Sequence, residues 1–199
     1  MSWCTWNTAR LLRFFMIQRL KKRNFLFKAA LVAAVLYGAS APSLFAASAQ
    51  VGFSPEGTAQ QLVINVIGSA KDNIRMMAYS FTAPDIMKAL IAAKRRGVDV
   101  KIVVDENGNT GRASRAAMNL VTNAGIPLRV NSNYKIQHDK VIIVDGRHVE
   151  TGSFNYTASA EKYNSENAIV MWDAPELAGQ YLKHWQSRWN QGRDFTPSY

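Results

Sequence analysis

The chain has 199 residues, of which 48% are hydrophobic, enough for one buried core, and this excludes global disorder. Its formal net charge is +10, but residues 1–49 hold seven basic residues and no acidic one. Residues 50–199 therefore carry 17 basic and 14 acidic residues, and this balance of +3 suits an anionic partner without identifying one. Cys4 is the single cysteine, which excludes disulfides and thiol chemistry from residues 50–199.

Residues 1–49 have the pattern of a secretory signal peptide. A basic stretch ending at Lys28 precedes an apolar segment at residues 29–41, and Ala47-Ser48-Ala49 matches the small-x-small pattern of signal peptidase sites. We expect cleavage after Ala49, with Met16 as an alternative start, and a periplasmic or secreted protein without stable membrane association. An uncleaved anchor is the alternative, because the segment up to the cleavage site could just span a bilayer.

Helices alternate with strands in the first half of residues 50–199. Apolar residues at helical spacing indicate the helices, and β-branched runs indicate the strands. The predicted elements are a helix over residues 58–69, a strand over 74–81, a helix between Thr82 and Gly97, a strand over 98–104 and a helix over 113–123.

The second half predicts a hairpin, one more strand and a last helix. Residues 140–144 and 148–151 form the hairpin around an Asp145-Gly146 turn, residues 168–172 form the strand, and Pro175 opens the helix. The fold class is therefore α/β, with one domain per chain and a mixed, mostly β-sheet core flanked by helices.

The residues that can carry chemistry follow the spacing His-x-Lys-x4-Asp, and Gly-Ser-x-Asn comes six residues later. They are His138, Lys140, Asp145, Ser153 and Asn155. Strand side chains two residues apart point the same way, roughly 7 Å apart along the strand, so His138 and Lys140 share one face. An imidazole can attack or shuttle a proton beside an ammonium that holds phosphoryl oxygens. The hydroxyl of Ser153 and the amide of Asn155 add neutral donors.

This pattern resembles the signature of the phospholipase D superfamily, and every position of it is present. Residues 51–199 are also similar to a small bacterial endonuclease of that superfamily that needs no metal, with Met76–Asp85 and Ser165–Asn167 adding to the likeness. The resemblance implies a phospholipase D-like fold with helices on both faces of the sheet. It also implies two chemical steps, in which one histidine attacks the phosphodiester and a second protonates the leaving oxygen, after which water releases the phosphate.

The resemblance assigns roles to the site residues. His138 attacks, Lys140 and Asn155 hold the non-bridging oxygens, and Ser153 assists. Glu166 matches the acidic residue that orients the imidazole.

Asp145 completes the motif and is counted among the catalytic residues, but its carboxylate could instead cap backbone N–H groups in the Asp-Gly turn. We expect no cofactor and no metal, because Lys140 would compete with a cation and no carboxylate cluster surrounds His138.

Two histidines are needed for this mechanism, yet the motif occurs once. The resemblance therefore implies a homodimer in which His138 of each subunit meets across a two-fold axis, where the imidazoles titrate as a coupled pair. His148 and His184 lie outside the pattern, and packing or surface exposure is expected for His184 in the aromatic last helix.

The leading hypothesis is an exported, metal-independent, non-specific endonuclease that acts on DNA, with RNA as a second nucleic-acid substrate. A phospholipase D acting on phosphatidyl lipids is the runner-up. A nucleic-acid-binding module without catalysis is the third hypothesis. Five intact site residues argue against it, namely His138, Lys140, Ser153, Asn155 and Glu166.

Overall fold

The computed structural model describes residues 47–198, so the predicted apolar segment at residues 29–41 lies outside the described residues. The predicted cleavage point after Ala49 falls inside the first described strand. The strands are β1 (Ser48–Ser54), β2 (Asn73–Ala78), β3 (Asp99–Asp105), β4 (Leu128–Asn131), β5 (Lys140–Val144), β6 (His148–Gly152), β7 (Glu166–Trp172) and β8 (Arg193–Asp194). The helices are α1 (Thr58–Ser69), α2 (Pro84–Arg95), α3 (Arg112–Asn123), α4 (Ala158–Lys162) and α5 (Pro175–Gln191), with a 3₁₀ turn at Asn107–Asn109.

The described strands form one mixed sheet in the order β1-β7-β6-β5-β2-β3-β4-β8. Strands β2, β3 and β4 are parallel, and their crossovers are the helices α2 and α3. The other neighbouring pairs are antiparallel, which short connections such as the turn between β5 and β6 allow.

Helices cover both faces of the sheet. On one face, α1, α2 and α3 bury side chains such as Val66 and Leu90 in the main apolar core. On the other face, α5 packs Trp185 against Met77 and Ile143, and the Trp185 indole N–H donates to the Met76 carbonyl at 3.1 Å. The expected α/β class, with a mixed sheet and helices on both faces, is confirmed.

The register of the sheet brings the ends of five strands to one end of the sheet. Ala78 at the end of β2 pairs with Lys140 at the start of β5, and Gly152 at the end of β6 pairs with Ala168 in β7. Ser54 at the end of β1 pairs with Glu166. Residues that follow β2 and β6, or precede β5, therefore meet at this end. Within residues 47–198, no helix is both long and apolar enough to cross a membrane.

Candidate active site

His138 and Lys140 lie at this end of the sheet. Tyr79 directly follows β2 and contacts the side chains of both residues. The His138 ring packs against the Tyr79 ring with centroids 4.7 Å apart. The Lys140 ammonium lies 5.3 Å from the Tyr79 ring centroid and donates a hydrogen bond of 2.9 Å to the His138 carbonyl. His138 is exposed, whereas Lys140 is buried. An accessible imidazole and a buried ammonium thus contact the same tyrosine ring.

Burial lowers the pKa of Lys140, because the ammonium loses hydration. The carboxylates of Glu166 and Asp139 act in the opposite direction and favour the charged form. These two carboxylates therefore support the charge that a phosphate site at Lys140 requires.

A buried polar network behind the site fixes both Tyr79 and the segment before His138. The Asp105 carboxylate accepts hydrogen bonds of 2.6 Å from the backbone N–H groups of Gln137 and Gly108. The Asn109 amide donates to the carbonyls of Tyr79, at 2.7 Å, and Asp105, at 2.8 Å. Sequence reasoning missed this network, and its one signal was the Gly- and Asn-rich loop after β3.

Ser153 directly follows β6, and its side chain contacts the start of β7. Its Oγ accepts hydrogen bonds from the backbone N–H of Asn167, at 3.0 Å, and from the Asn167 amide, at 3.3 Å. Gly152 permits this junction, because a Cβ at that position would lie 2.2 Å from the Asn167 carbonyl oxygen. The Asn155 Oδ1 is buried and has no hydrogen-bond partner among the described residues. Ser153 and Asn155 thus follow the strand that lies beside Lys140.

Glu166 lies at the same end of the sheet, but its hydrogen-bond partner is Asn164 and not the histidine. Its Oε1 accepts a hydrogen bond of 3.0 Å from the Asn164 amide. Its charge reaches Lys140, as the pKa of that lysine indicates. The implied hydrogen bond to His138 is not among the contacts of residues 47–198, so the structure places Glu166 near the site without showing it orienting the imidazole.

Asp145 lies at the opposite end of β5 and is not brought into the site. Its carboxylate accepts hydrogen bonds from the backbone N–H groups of Lys71, at 2.9 Å, and of Asp72 and Asn73, both at 2.8 Å. The five residues of β5 separate it from His138 by roughly 17 Å or more, at the usual strand rise. The catalytic role expected for Asp145 is therefore corrected, because its geometry is that of a cap on the chain entering β2.

The two histidines outside the motif occupy different places. His148 accepts a hydrogen bond of 3.0 Å from the Asp173 backbone N–H, far from Lys140 at the other end of the hairpin. Burial is the main cause that lowers the pKa of His148. His184 lies 3.1 Å, Nε2 to Oδ1, from Asp139, the residue between His138 and Lys140. The sequence predicted only packing or surface exposure for His184, and the structure adds this contact with the motif.

In the described part of the chain, no three potential metal-ligating side chains of His, Cys, Asp or Glu cluster together.

Comparison with known proteins links this geometry to a family. Residues 63–189 match the family model described as "Cardiolipin synthase, PLD-like domain". A protein named "Phospholipase D" from Rickettsia bellii is 40% identical over 136 residues, which is 68% of this chain and 66% of that protein. A "Mitochondrial cardiolipin hydrolase" from Xenopus laevis is 28% identical over 131 residues, which is 66% of this chain and 60% of that protein. The matched region thus spans 66% and 60% of these relatives, which is less than two thirds of each.

Two solved structures share the fold. A phospholipase D family member, Nuc from Salmonella typhimurium, matches with a TM-score of 0.74 and 70% identity, covering 75% of this chain and 98% of that chain. NucT from Helicobacter pylori matches with a TM-score of 0.68 and 23% identity, covering 75% of this chain and 99% of that chain. The second likeness supports the fold alone, whereas the first extends to sequence over nearly the whole of Nuc.

Proposed function

The chain belongs to the phospholipase D superfamily, and from this membership we propose that it is a phosphodiesterase whose reacting group is the His138 imidazole. One observation carries the proposal: the exposed imidazole of His138 and the buried ammonium of Lys140 both contact the Tyr79 ring at one end of the sheet. A phosphate diester bound there has a nucleophile and a positive charge within reach of the same phosphorus atom.

The proposed reaction has two balanced steps. A ring nitrogen of His138 attacks phosphorus, a P–N bond forms, and the P–O bond to the leaving group breaks while a second imidazolium gives that oxygen a proton. Water then attacks phosphorus and gives a proton back to the second imidazole, and the P–N bond breaks. Lys140 and Asn155 hold the non-bridging oxygens through both steps, with Ser153 beside them.

We propose that the second imidazole is His138 of a partner subunit in a homodimer. Within residues 47–198, His148 is at the far end of the hairpin, and His184 reaches the motif only through Asp139. A two-fold axis at the site would supply the missing proton donor from an identical chain.

The proposed substrate is DNA, with RNA as a second nucleic-acid substrate, and cleavage needs no metal. Three observations favour a nucleic acid over a lipid: the similarity to a small endonuclease, the single motif, and the balance of +3 in residues 50–199. Lys140 supplies the charge at the phosphate for which other nucleases use a divalent cation.

We further propose that residues 1–49 direct export and are removed after Ala49. The basic stretch, the apolar segment and the small residues before the cleavage point support this proposal. Amino-terminal sequencing of the protein from a periplasmic or culture fraction tests it. A first residue other than Gln50, or full-length protein in the membrane fraction, would contradict it.

A lipid phosphodiester is the second candidate substrate, and a specific surface favours it. Two large apolar side chains near the site are exposed, namely Phe53 and Ile136, at 50% and 48%. Tyr163, three residues before Glu166 in the sequence, is 81% exposed. Phe53 pairs with Asn167, the partner of Ser153, and Ile136 lies two residues before His138. The relatives named phospholipase D and cardiolipin hydrolase add to this candidate.

Plasmid nicking tests the nuclease proposal. Purified protein is incubated with supercoiled plasmid in excess EDTA, beside a His138→Ala variant with the same thermal unfolding midpoint. We expect nicking by the unchanged protein alone. Folded protein that nicks nothing, with or without added metal, would end the nuclease proposal.

Vesicles of phosphatidylcholine and of cardiolipin are then tested, and release of a head group by the unchanged protein alone would establish the lipid candidate.

A further inference from the structure

Helix α5 contacts the motif through the side chains of His184 and Asp139. Trp185 on this helix is buried, and its indole N–H is bonded to the Met76 carbonyl in β2, so this part of the helix is fixed to the sheet. The preceding residue, His184, lies 3.1 Å, Nε2 to Oδ1, from Asp139. The contact joins residues 45 positions apart, one of them inside the motif.

Asp139 is suited to this contact because strand side chains alternate between faces. Val141 and Ile143, which are two and four residues further on, pack in the core beneath α5. Ile142, two residues after Lys140, packs in the core of the opposite face. A contact with Asp139 therefore fixes the backbone of the motif without engaging the side chains of His138 and Lys140.

We propose that Asp139 and His184 form a positioning pair that fixes the segment carrying His138 and Lys140 against helix α5. The proposal deepens the phosphodiesterase function proposed above and rests on it for its effect on catalysis. Neither residue touches the reacting atoms. Both act through the two residues that flank Asp139.

The pair has an electrostatic side as well. Within residues 47–198, the groups that face the Lys140 ammonium besides the carbonyl of His138 are the Tyr79 ring just after β2, the Glu166 carboxylate from β7, and the Asp139 carboxylate from its own segment. Burial lowers the pKa of Lys140, and the two carboxylates raise it. Removing the charge of Asp139 therefore lowers the pKa of Lys140 further, an effect that a purely structural contact would not produce.

The first arm of the test needs no catalytic activity. The Lys140 titration is followed by NMR of ¹³Cε-labelled lysine in the full chain, unchanged and as Asp139→Asn, which keeps the shape and the hydrogen-bond acceptor. We expect a lower Lys140 pKa in the variant.

Hydrogen exchange of the amides of residues 138–140 is measured in His184→Ala and His184→Gln. Faster exchange in the alanine variant and recovery in the glutamine variant are expected, because the glutamine amide N–H can still donate to Asp139.

The second arm measures kcat and KM on a synthetic phosphodiester. We expect kcat of His184→Ala to fall roughly 10-fold with KM changed less, as for other partners that orient a reacting group, and His184→Gln to recover most of it. Lys183→Ala, on the exposed neighbour of His184, is the matched control and should behave as the unchanged protein.

The two proposals fail in different ways. If the unchanged, folded protein cleaves neither DNA nor any diester, the proposed function fails, and the NMR arm still decides the positioning pair. An unaltered Lys140 pKa in Asp139→Asn, together with unaltered exchange in His184→Ala, would overturn the pair. An active protein in which His184→Ala keeps its full kcat would overturn it as well.

Discussion

At the scale of single residues, Tyr79 is the site component that the motif does not contain. Its ring contacts the His138 ring and lies beneath the Lys140 ammonium, and the backbone carbonyl of Tyr79 is held by Asn109. These contacts use the aromatic face, and the hydroxyl takes part in none of them. The ring is therefore the feature that restricts the imidazole and stabilises the ammonium.

Substitution of Tyr79 separates the ring from the hydroxyl. We expect Tyr79→Phe to keep most of the kcat on a phosphodiester substrate. Tyr79→Leu should lose about 3- to 10-fold, the size of a lost aromatic and cation–π contact. Steady-state kinetics of both variants measure this, with unfolding midpoints as a control for folding. A larger loss in Tyr79→Phe than in Tyr79→Leu would show instead that the hydroxyl acts on the substrate.

Glu150 is a second residue-scale feature, because it is a fully buried carboxyl in β6. The Tyr156 hydroxyl donates to its Oε2 at 2.7 Å, while its Oε1 has no partner among the described residues. Burial raises the pKa of Glu150 to about 8, against an ordinary value of 4.5. The Glu150–Tyr156 hydrogen bond joins the two ends of the segment 150–156, which carries Ser153 and Asn155. The protonation state of Glu150 therefore bears on the site.

The raised pKa of Glu150 predicts a pH dependence of stability. Between pH 4.5 and about 8, the folded protein keeps a proton that the unfolded chain has lost, so this group's contribution to stability falls as pH rises, by about 1.4 kcal/mol per pH unit. Glu150→Gln removes this effect. We expect the stability of the variant relative to the unchanged protein to increase from about pH 5 to pH 8, as measured by urea unfolding. A difference that does not vary with pH would contradict the prediction.

At the scale of elements, Asp145 links the hairpin to the start of β2. It has a left-handed φ of 52° and accepts three backbone hydrogen bonds from residues 71–73. Burial works against its ionisation, but the bonds from Asn73, Lys71 and Asp72 outweigh burial and lower the pKa of Asp145. The carboxylate thus joins two elements that are adjacent in the sheet and distant in sequence.

Asp145→Asn tests this structural role against the catalytic one. Asparagine tolerates the left-handed conformation but has one acceptor oxygen and no charge. We expect it to cost about 1 to 3 kcal/mol of unfolding free energy at neutral pH. Because the folded pKa is depressed, this cost should be present above the ordinary value of 3.8 and vanish as pH falls through the folded pKa. The kcat/KM of the folded variant should be unchanged, and a large loss of it would restore the catalytic reading.

The sequence predicted most elements from local patterns. The helix over residues 58–69, the strand over 140–144 and the helix opened by Pro175 have the bounds that the sequence indicated. Strand β1 was not predicted. It is an edge strand whose residues, Ser48–Ser54, span the expected cleavage point after Ala49. Strands β4 and β8 have four and two residues, which is too short for a periodic signal. These three strands form by pairing with a neighbouring strand, which a local pattern does not encode. The five-residue helix α4 was not predicted either.

At the scale of the whole molecule, the site depends on contacts that no local pattern encodes. His138, Lys140, Ser153 and Asn155 lie at one end of the sheet, because the spacing of the motif reflects two adjacent strands. The Asp105–Gln137 bond spans 32 residues, and its role becomes visible only when β3 and the loop before β5 are side by side. The same topology separates Asp145 from the site, although the motif groups it with His138.

The proposed dimer is also a whole-molecule property, and subunit mixing tests it. If each catalytic centre needs His138 from both subunits, a mixed dimer of unchanged and His138→Ala chains is inactive. After random exchange of equal amounts, about one quarter of the dimers are then active, against about one half of the activity if each subunit works alone. Cleavage of a phosphodiester is measured at constant total protein over a series of mixing ratios, with an inert protein replacing the variant as control. Activity that falls with the square of the unchanged fraction supports the shared centre, and a linear fall or a monomer in light scattering contradicts it.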